Sequence, residues 1–256
     1  MTNMDVRRRP TLRRRESSMA LTSELVSLSL RVEADPGPEP HPTPLTKAEL
    51  EIVAERLLHE SGVGPLWIFA YGSLIWKQHF VAVESLRGVA RGWHRSFCLE
   101  MTRWRGTSKQ PGLMMALDQG GRCNGILFRL SNDERLVQVR QLLRREVKSL
   151  EDAATVRWIP VETAQGSVRA LVFWAGPKGM RVFRKLPLET VAGVLARACG
   201  PGGSGAEYLY LTVKHLEERG IRDRNLWRLQ KLVADELTVM HGLNGETAIA
   251  TENVQA

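Results

Sequence analysis

Between Trp67 and Leu130, strand-like runs follow one another with no helix between them. "WIFAYGSLIW" (67–76), "ESLRGVARGWHRSFCLEM" (84–101), "GLMMALD" (112–118) and "CNGILFRL" (123–130) are parted by Gly- and Asp-rich turns. A helical pattern, "SNDERLVQVRQLLRREVKSL" (131–150), comes next, and Ser131 with Glu134 reads as a capping box. "VRWIPVE" and "RALVFWA" then read as a hairpin closed by "TAQGS". The last third is helical, in three runs: "PLETVAGVLARAC", "AEYLYLTVKHLEERG" and "RNLWRLQKLVADELT". This order does not alternate strand and helix. It predicts an α+β domain built on a closed or strongly curved mixed sheet, barrel-like, with flanking helices.

The N-terminal quarter differs in character. Residues 1–18 hold six arginines against Asp5 and Glu16, half of the chain's net charge of +8. They lack periodicity and read as a disordered basic tail. Residues 19–45 read as a short helix with Thr22 as N-cap, followed by the linker "ADPGPEPHPTP", which packs five prolines into eleven residues. Residues 46–242 are expected to form one domain, opening on a helix with Thr46 and Glu49 as its capping box. Residues 243–256 are expected to fray.

Several function classes drop out. No apolar run approaches the ~18 residues of a membrane span, and residues 1–18 have no apolar core of a signal peptide. A soluble, cytoplasmic protein is the expectation. Cys98, Cys123 and Cys199 are odd in number and far apart, which argues against a disulfide framework or a thiolate zinc site. The six histidines show no metal-binding spacing, so no metal is expected. Outside the tail the basic residues are diffuse, which weakens a nucleic-acid reading. "GPGGSG" (200–205) lacks the ending of a phosphate loop, and no serine sits in a GxSxG elbow.

Two features could carry chemistry. The Tyr71-Gly72-Ser73-Leu74 break interrupts an apolar strand. Glycine at positive φ would turn successive N–H groups to one side as an anion cradle, with the Ser73 hydroxyl as a further donor. A plain β-bulge is the other reading. The second feature is Glu146. At about 100° per residue, Leu136, Val139, Leu142, Leu143, Val147 and Leu150 fall on one helical arc, and Glu146 falls inside it. Arg140, Arg144, Arg145 and Lys148 fall outside, toward water. A carboxylate on a buried face is either paired, here with Arg105 or Arg129, or has a raised pKa suited to proton transfer.

"FAYGSLIWK", "GVARGWHRSF", "RGT…PGLMMAL", "NGILFRL", "LLRRE" and "GAEYL" together resemble the ChaC-like γ-glutamylcyclotransferase family, over roughly residues 19 to 238. "ALTSELV" resembles a family-like start near Met19. The resemblance implies a γ-glutamylcyclotransferase-like fold and intramolecular aminolysis. The α-amine of a γ-glutamyl group attacks its own γ-carbonyl and releases 5-oxoproline; glutathione is the implied substrate and cysteinylglycine the second product. It implies Glu146 as base and acid, Tyr71, Gly72, Ser73 and Leu74 as the substrate turn, Tyr208 as a pocket hydroxyl, and no metal or organic cofactor. One departure stands out. The Gly-Gly-Tyr or Gly-Ala-Tyr that follows the family's Arg-Glu pair is replaced here by "VKSLEDAATV". Another γ-glutamyl substrate, binding without turnover, or a non-enzymatic nucleic-acid or membrane-surface role for the arginine tail are the alternatives.

Overall fold

The computed structural model describes residues 18–37, 43–176 and 182–243. Most of the basic tail, the centre of the proline linker and nearly all of the C-terminal segment expected to fray lie outside the described residues.

A closed sheet organises the chain. Its strands are β1 (Trp67–Ala70), β2 (Ala82–Met101), β3 (Gly112–Leu130), β4 (Val156–Thr163) and β5 (Gly166–Phe173), in the order β1-β3-β2-β4-β5. Every pairing is antiparallel except β1 against β5, which runs parallel and closes the barrel. The mixed, closed sheet expected from the element order is therefore present. "GLMMALD" and "CNGILFRL" are not separate strands, however. Gly120 and Gly121, at φ 102 and 71, carry β3 through the intervening residues, and a register shift in β2 between Arg91 and Trp93 accommodates them.

The helices are α1 (Ser23–Ser27), α2 (Lys47–Ser61), α3 (Arg135–Glu146), α4 (Leu150–Ala153), α5 (Leu188–Arg197), α6 (Gly205–Glu218) and α7 (Arg224–Met240). Two N-termini follow the sequence signals. Thr22 Oγ1 accepts from Leu25 N–H, and Thr46 with Glu49 forms the full capping box. The capping box expected at Ser131 and Glu134 does not form. Glu134 itself is the N-cap, in the left-handed region at φ 49 with no side-chain cap, while Ser131 Oγ accepts from Asp133 N–H in a local turn. "GPGGSG" forms a two-residue ladder, β6 (Cys199–Gly200) with β7 (Gly203–Ser204), whose last residue caps α6. Among the described residues, no helix is long and apolar enough to cross a membrane.

Alternation along β1 separates two cores. Trp67 and Phe69 join a cluster drawn from the strands and Trp174 alone, with Leu117, Leu127, Val161 and Val172. Ile68 and Ala70 join the larger cluster, which includes Leu57, Leu142, Leu195, Leu209 and Leu237 from the helices. Tyr71 borders both clusters, so the segment that follows β1 emerges where the barrel meets its helical jacket.

Candidate active site

The strand ends earlier than the sequence suggests. β1 stops at Ala70, and Ser73–Ile75 makes a single 3-10 turn. Gly72 has φ −138 and ψ −130, so the expected positive φ is absent. Glycine is required here for space: a Cβ on Gly72 would lie 2.8 Å from the Tyr208 hydroxyl oxygen and 3.5 Å from Met115 Sδ. Tyr208 is buried on the first turn of α6, and its ring meets Trp76 and Phe97 edge-on at centroid distances of 5.8 and 5.9 Å. Its hydroxyl oxygen accepts from Ser73 N–H at 3.3 Å. Within the turn, Ile75 N–H donates to Gly72 O at 2.9 Å, and Trp76 and Lys77 N–H both donate to Ser73 O. The N–H groups of Gly72 and Leu74 have no partner among the described residues. Two backbone donors thus remain beside the Ser73 hydroxyl, without the positive φ from which an anion cradle was expected.

Gly72→Ala should therefore act through Tyr208. Crowding of this kind costs about 1–3 kcal/mol, read as a lowered melting temperature. Adding Tyr208→Phe removes the oxygen the new methyl meets, so the double variant should melt above Gly72→Ala alone. Strictly additive losses in a thermal-melt cycle would show that the hydroxyl is not the obstacle.

Tyr71 and Leu74 contribute differently from Ser73. The Tyr71 hydroxyl donates to the Phe173 carbonyl at 2.6 Å, tying the turn to the end of β5. Burial, and then the charge of Glu146, push this phenol well above its usual pKa. The Leu74 side chain belongs to the larger core cluster, so only its backbone is available to a ligand.

α3 delivers Glu146. Val139, Leu142 and Leu143 are buried against the larger core, and Glu146 follows Leu142 and Leu143 on the same face, as the arc implied. The helix ends there rather than running to Leu150. Val147 is extended, Ser149 caps α4, and Leu150 is 56% exposed. Burial raises the Glu146 pKa, and the nearby charges of Arg145 and Lys148 only partly oppose it. The side chain retains 22% of its surface, but its Oε1 is shut from solvent and accepts no hydrogen bond.

The partners considered for Glu146 from sequence are engaged elsewhere. Arg105 pairs with Glu207, and Arg129 Nε lies 2.7 Å from Glu84. The charge beside Glu146 is Arg145, which the helical projection turned toward water. Its Nε lies 3.0 Å from Glu146 Oε1, its Nη2 donates to Ser73 Oγ at 2.5 Å, and its Nη1 donates to the Lys77 carbonyl. Arg95, also unflagged in the sequence, supports the turn from behind by donating from Nε to the Tyr71 carbonyl at 2.6 Å. A buried carboxylate with a raised pKa, linked through Arg145 to the Ser73 turn, can take a proton from a bound group and return it.

A family model described as ChaC-like protein matches residues 66–236. The chain belongs to the ChaC-like family. An Escherichia coli (strain K12) relative, named glutathione-specific gamma-glutamylcyclotransferase, is 36% identical over 164 residues, covering 64% of this chain and 70% of its own. Gamma-glutamylcyclotransferase 2-3 of Arabidopsis thaliana is 28% identical over 195 residues, covering 73% and 98%. A solved structure of a glutathione-specific γ-glutamyl cyclotransferase from yeast superposes with a TM-score of 0.59 at 19% identity, over 67% of this chain and 96% of that one. It shares the fold. The ChaC-like match begins one residue before β1, so α1 and α2 lie outside it.

Proposed function

We propose that this protein is a γ-glutamylcyclotransferase that cleaves glutathione to 5-oxoproline and cysteinylglycine. The observation that carries this reading is the junction of a buried carboxylate, Glu146, with a turn that presents free N–H donors, joined through Arg145. The name of the Escherichia coli relative supplies the substrate.

The residues support each step. The substrate amine arrives as an ammonium, and ionised Glu146 takes one of its protons. The freed amine nitrogen attacks the γ-carbonyl carbon of the same residue. Charge that builds on the carbonyl oxygen, or the charge of the substrate carboxylate, is matched by the N–H groups of Gly72 and Leu74 and by the Ser73 hydroxyl. The carbon–nitrogen bond to cysteine then breaks as Glu146 returns its proton to the leaving amine, and the ring nitrogen's second proton passes through the same carboxylate, so 5-oxoproline leaves as a neutral amide and cysteinylglycine as an ammonium. Ring closure is intramolecular, so holding the glutamyl chain folded supplies much of the acceleration. Proton transfer and positioning complete the balance without a further reactant. A cytoplasmic setting goes with this reading, since Cys98, Cys123 and Cys199 are buried and unpaired and call for no oxidising compartment.

Incubating the purified protein with glutathione should release 5-oxoproline and cysteinylglycine in equal amounts. Release of 5-oxoproline from γ-glutamyl-alanine but not from glutathione would keep the reaction and change the substrate. That outcome would point to the segment after Glu146, where α4 with its own capping box stands in place of the glycine-rich stretch. No 5-oxoproline from either compound would overturn the reading.

A further inference from the structure

We infer that Arg145 is a positioning residue that locks the Glu146 carboxylate onto the Ser73 turn and holds a fixed positive charge beside it. The inference rests on the reading of Glu146 as base, and it assigns a role to a residue that the reaction as written above does not use.

Its geometry is unusual for a residue in the last turn of a helix. A lysine or arginine there ordinarily turns to water or to the terminal carbonyls, as Lys148 does by donating from Nζ to the Arg144 carbonyl at 2.5 Å. Arg145 instead folds back, and its side chain is only 19% exposed. The three guanidinium nitrogens divide their work. Nη2 grips the first residue of the 3-10 turn at Ser73 Oγ, and Nη1 the Lys77 carbonyl two residues past its end. Nε faces Glu146 Oε1 at 3.0 Å without pointing an N–H along the line, so the contact is one of charge and not a hydrogen bond. A planar guanidinium can hold all three contacts in one rigid body, which an ammonium cannot.

This arrangement has two consequences. The first is distance. Glu146 sits on α3 and Ser73 follows β1, 73 residues earlier, and Arg145 is the direct side-chain tie between them. If the tie is lost, the carboxylate has no fixed place relative to the donors of Gly72 and Leu74. The second is charge. The groups that face Glu146 are Arg145 and Lys148 from its own segment, Tyr71 from the turn and Tyr208 from α6. Both phenols are pushed up, so they stay neutral, leaving Arg145 as the larger of the two cationic influences that oppose the effect of burial on this carboxylate. Because Ser73 Oγ accepts from Arg145, its own O–H remains free to donate to the substrate.

The test compares Arg145→Met and Arg145→Lys for 5-oxoproline release across pH. In wild type, activity falls with falling pH as Glu146 takes a proton. Removing the cation should move this acid limb upward by about 1–2 pH units, since an opposite charge at this range lowers a carboxyl pKa by about 1–3. Arg145→Lys should hold the limb near its wild-type position yet lose kcat by about tenfold or more, because the turn is no longer gripped at two points. KM should change less than kcat in both variants. Arg145→Met with an unmoved acid limb and near wild-type kcat would overturn the inference. So would equal rescue of both limb and kcat by lysine, which would leave charge alone as the cause. If Arg145→Met does not fold, the kcat and pH limb of Arg145→Lys still decide. The base reading fails separately, through an active Glu146→Gln.

Discussion

Glu146→Gln is expected to lower kcat for 5-oxoproline release by about 10²–10⁴, the span usual for a positioned proton-transfer group. The amide keeps the shape of the side chain and can still turn an oxygen toward Arg145 Nε, but it cannot accept the ammonium proton. Folding should survive. Burial disfavours the charged form of Glu146 in the wild-type protein, so a neutral isostere removes a cost and adds none comparable. The melting temperature should therefore stay within a few degrees of wild type or rise. Glu146→Asp separates position from chemistry. It retains a carboxylate but withdraws it by one methylene from Arg145 and from the turn, so it should be impaired while keeping an acid limb. A glutamine variant that retains more than a tenth of wild-type kcat, with an unchanged fold, would show that another group takes the proton.

The elements were legible in the sequence to the extent that their determinants are local. Thr22 and Thr46 cap the helices they were expected to cap because capping needs only a side chain three residues from its partner. The absence of strand–helix alternation was enough to expect a closed mixed sheet, and β1 and β5 supply the closing parallel pair. Glu134 shows where local signals mislead. Ser131 and Glu134 have the spacing of a capping box, but Gln138 binds the Ser131 and Asp133 carbonyls through Nε2 and takes Val81 N–H on Oε1, so tertiary contacts set the helix entry instead.

The site was legible in its parts and illegible in its joints. Glu146 could be placed on the buried face from periodicity alone. The break at Tyr71–Leu74 was visible, but its cause was not. Gly72 is small because a hydroxyl from residue 208 occupies the space beside it, and nothing within the strand announces that oxygen. Arg145 was misplaced because a helical projection locates the Cα–Cβ direction, whereas a long side chain at a helix end can curl back over the terminus. Arg95 gave no sign of its role, since an arginine in a run of strand residues with Arg91 and His94 reads as surface charge.

Arg95→Met is expected to produce the largest loss of stability among these variants. The Arg95 side chain is 1% exposed and ties three parts of the fold. Nε donates to the Tyr71 carbonyl at 2.6 Å, Nη1 lies 2.9 Å from Asp223 Oδ2, and Nη2 donates to the Asn124 carbonyl on β3. Asp223 meanwhile caps α7, accepting from Asn225 and Leu226 N–H on Oδ1. Methionine fills the volume but leaves two carbonyls without a donor and a carboxylate without its cation. Breaking a buried pair in this way costs about 3–5 kcal/mol, and at about 2–4 °C per kcal/mol for a domain of this size the melting temperature should drop by roughly 10 °C. Turnover measured well below that temperature should also fall, because the Tyr71 carbonyl is the last anchor before Gly72 and the two free N–H donors. Arg95→Met combined with Asp223→Asn distinguishes the causes. Asparagine still caps a helix but carries no charge, so the double variant should recover part of the lost stability and little of the lost activity. A single variant that melts within 2–3 °C of wild type, a margin of about 1 kcal/mol, would show that the turn is held by its other contacts, the Tyr71 hydroxyl on Phe173 first among them.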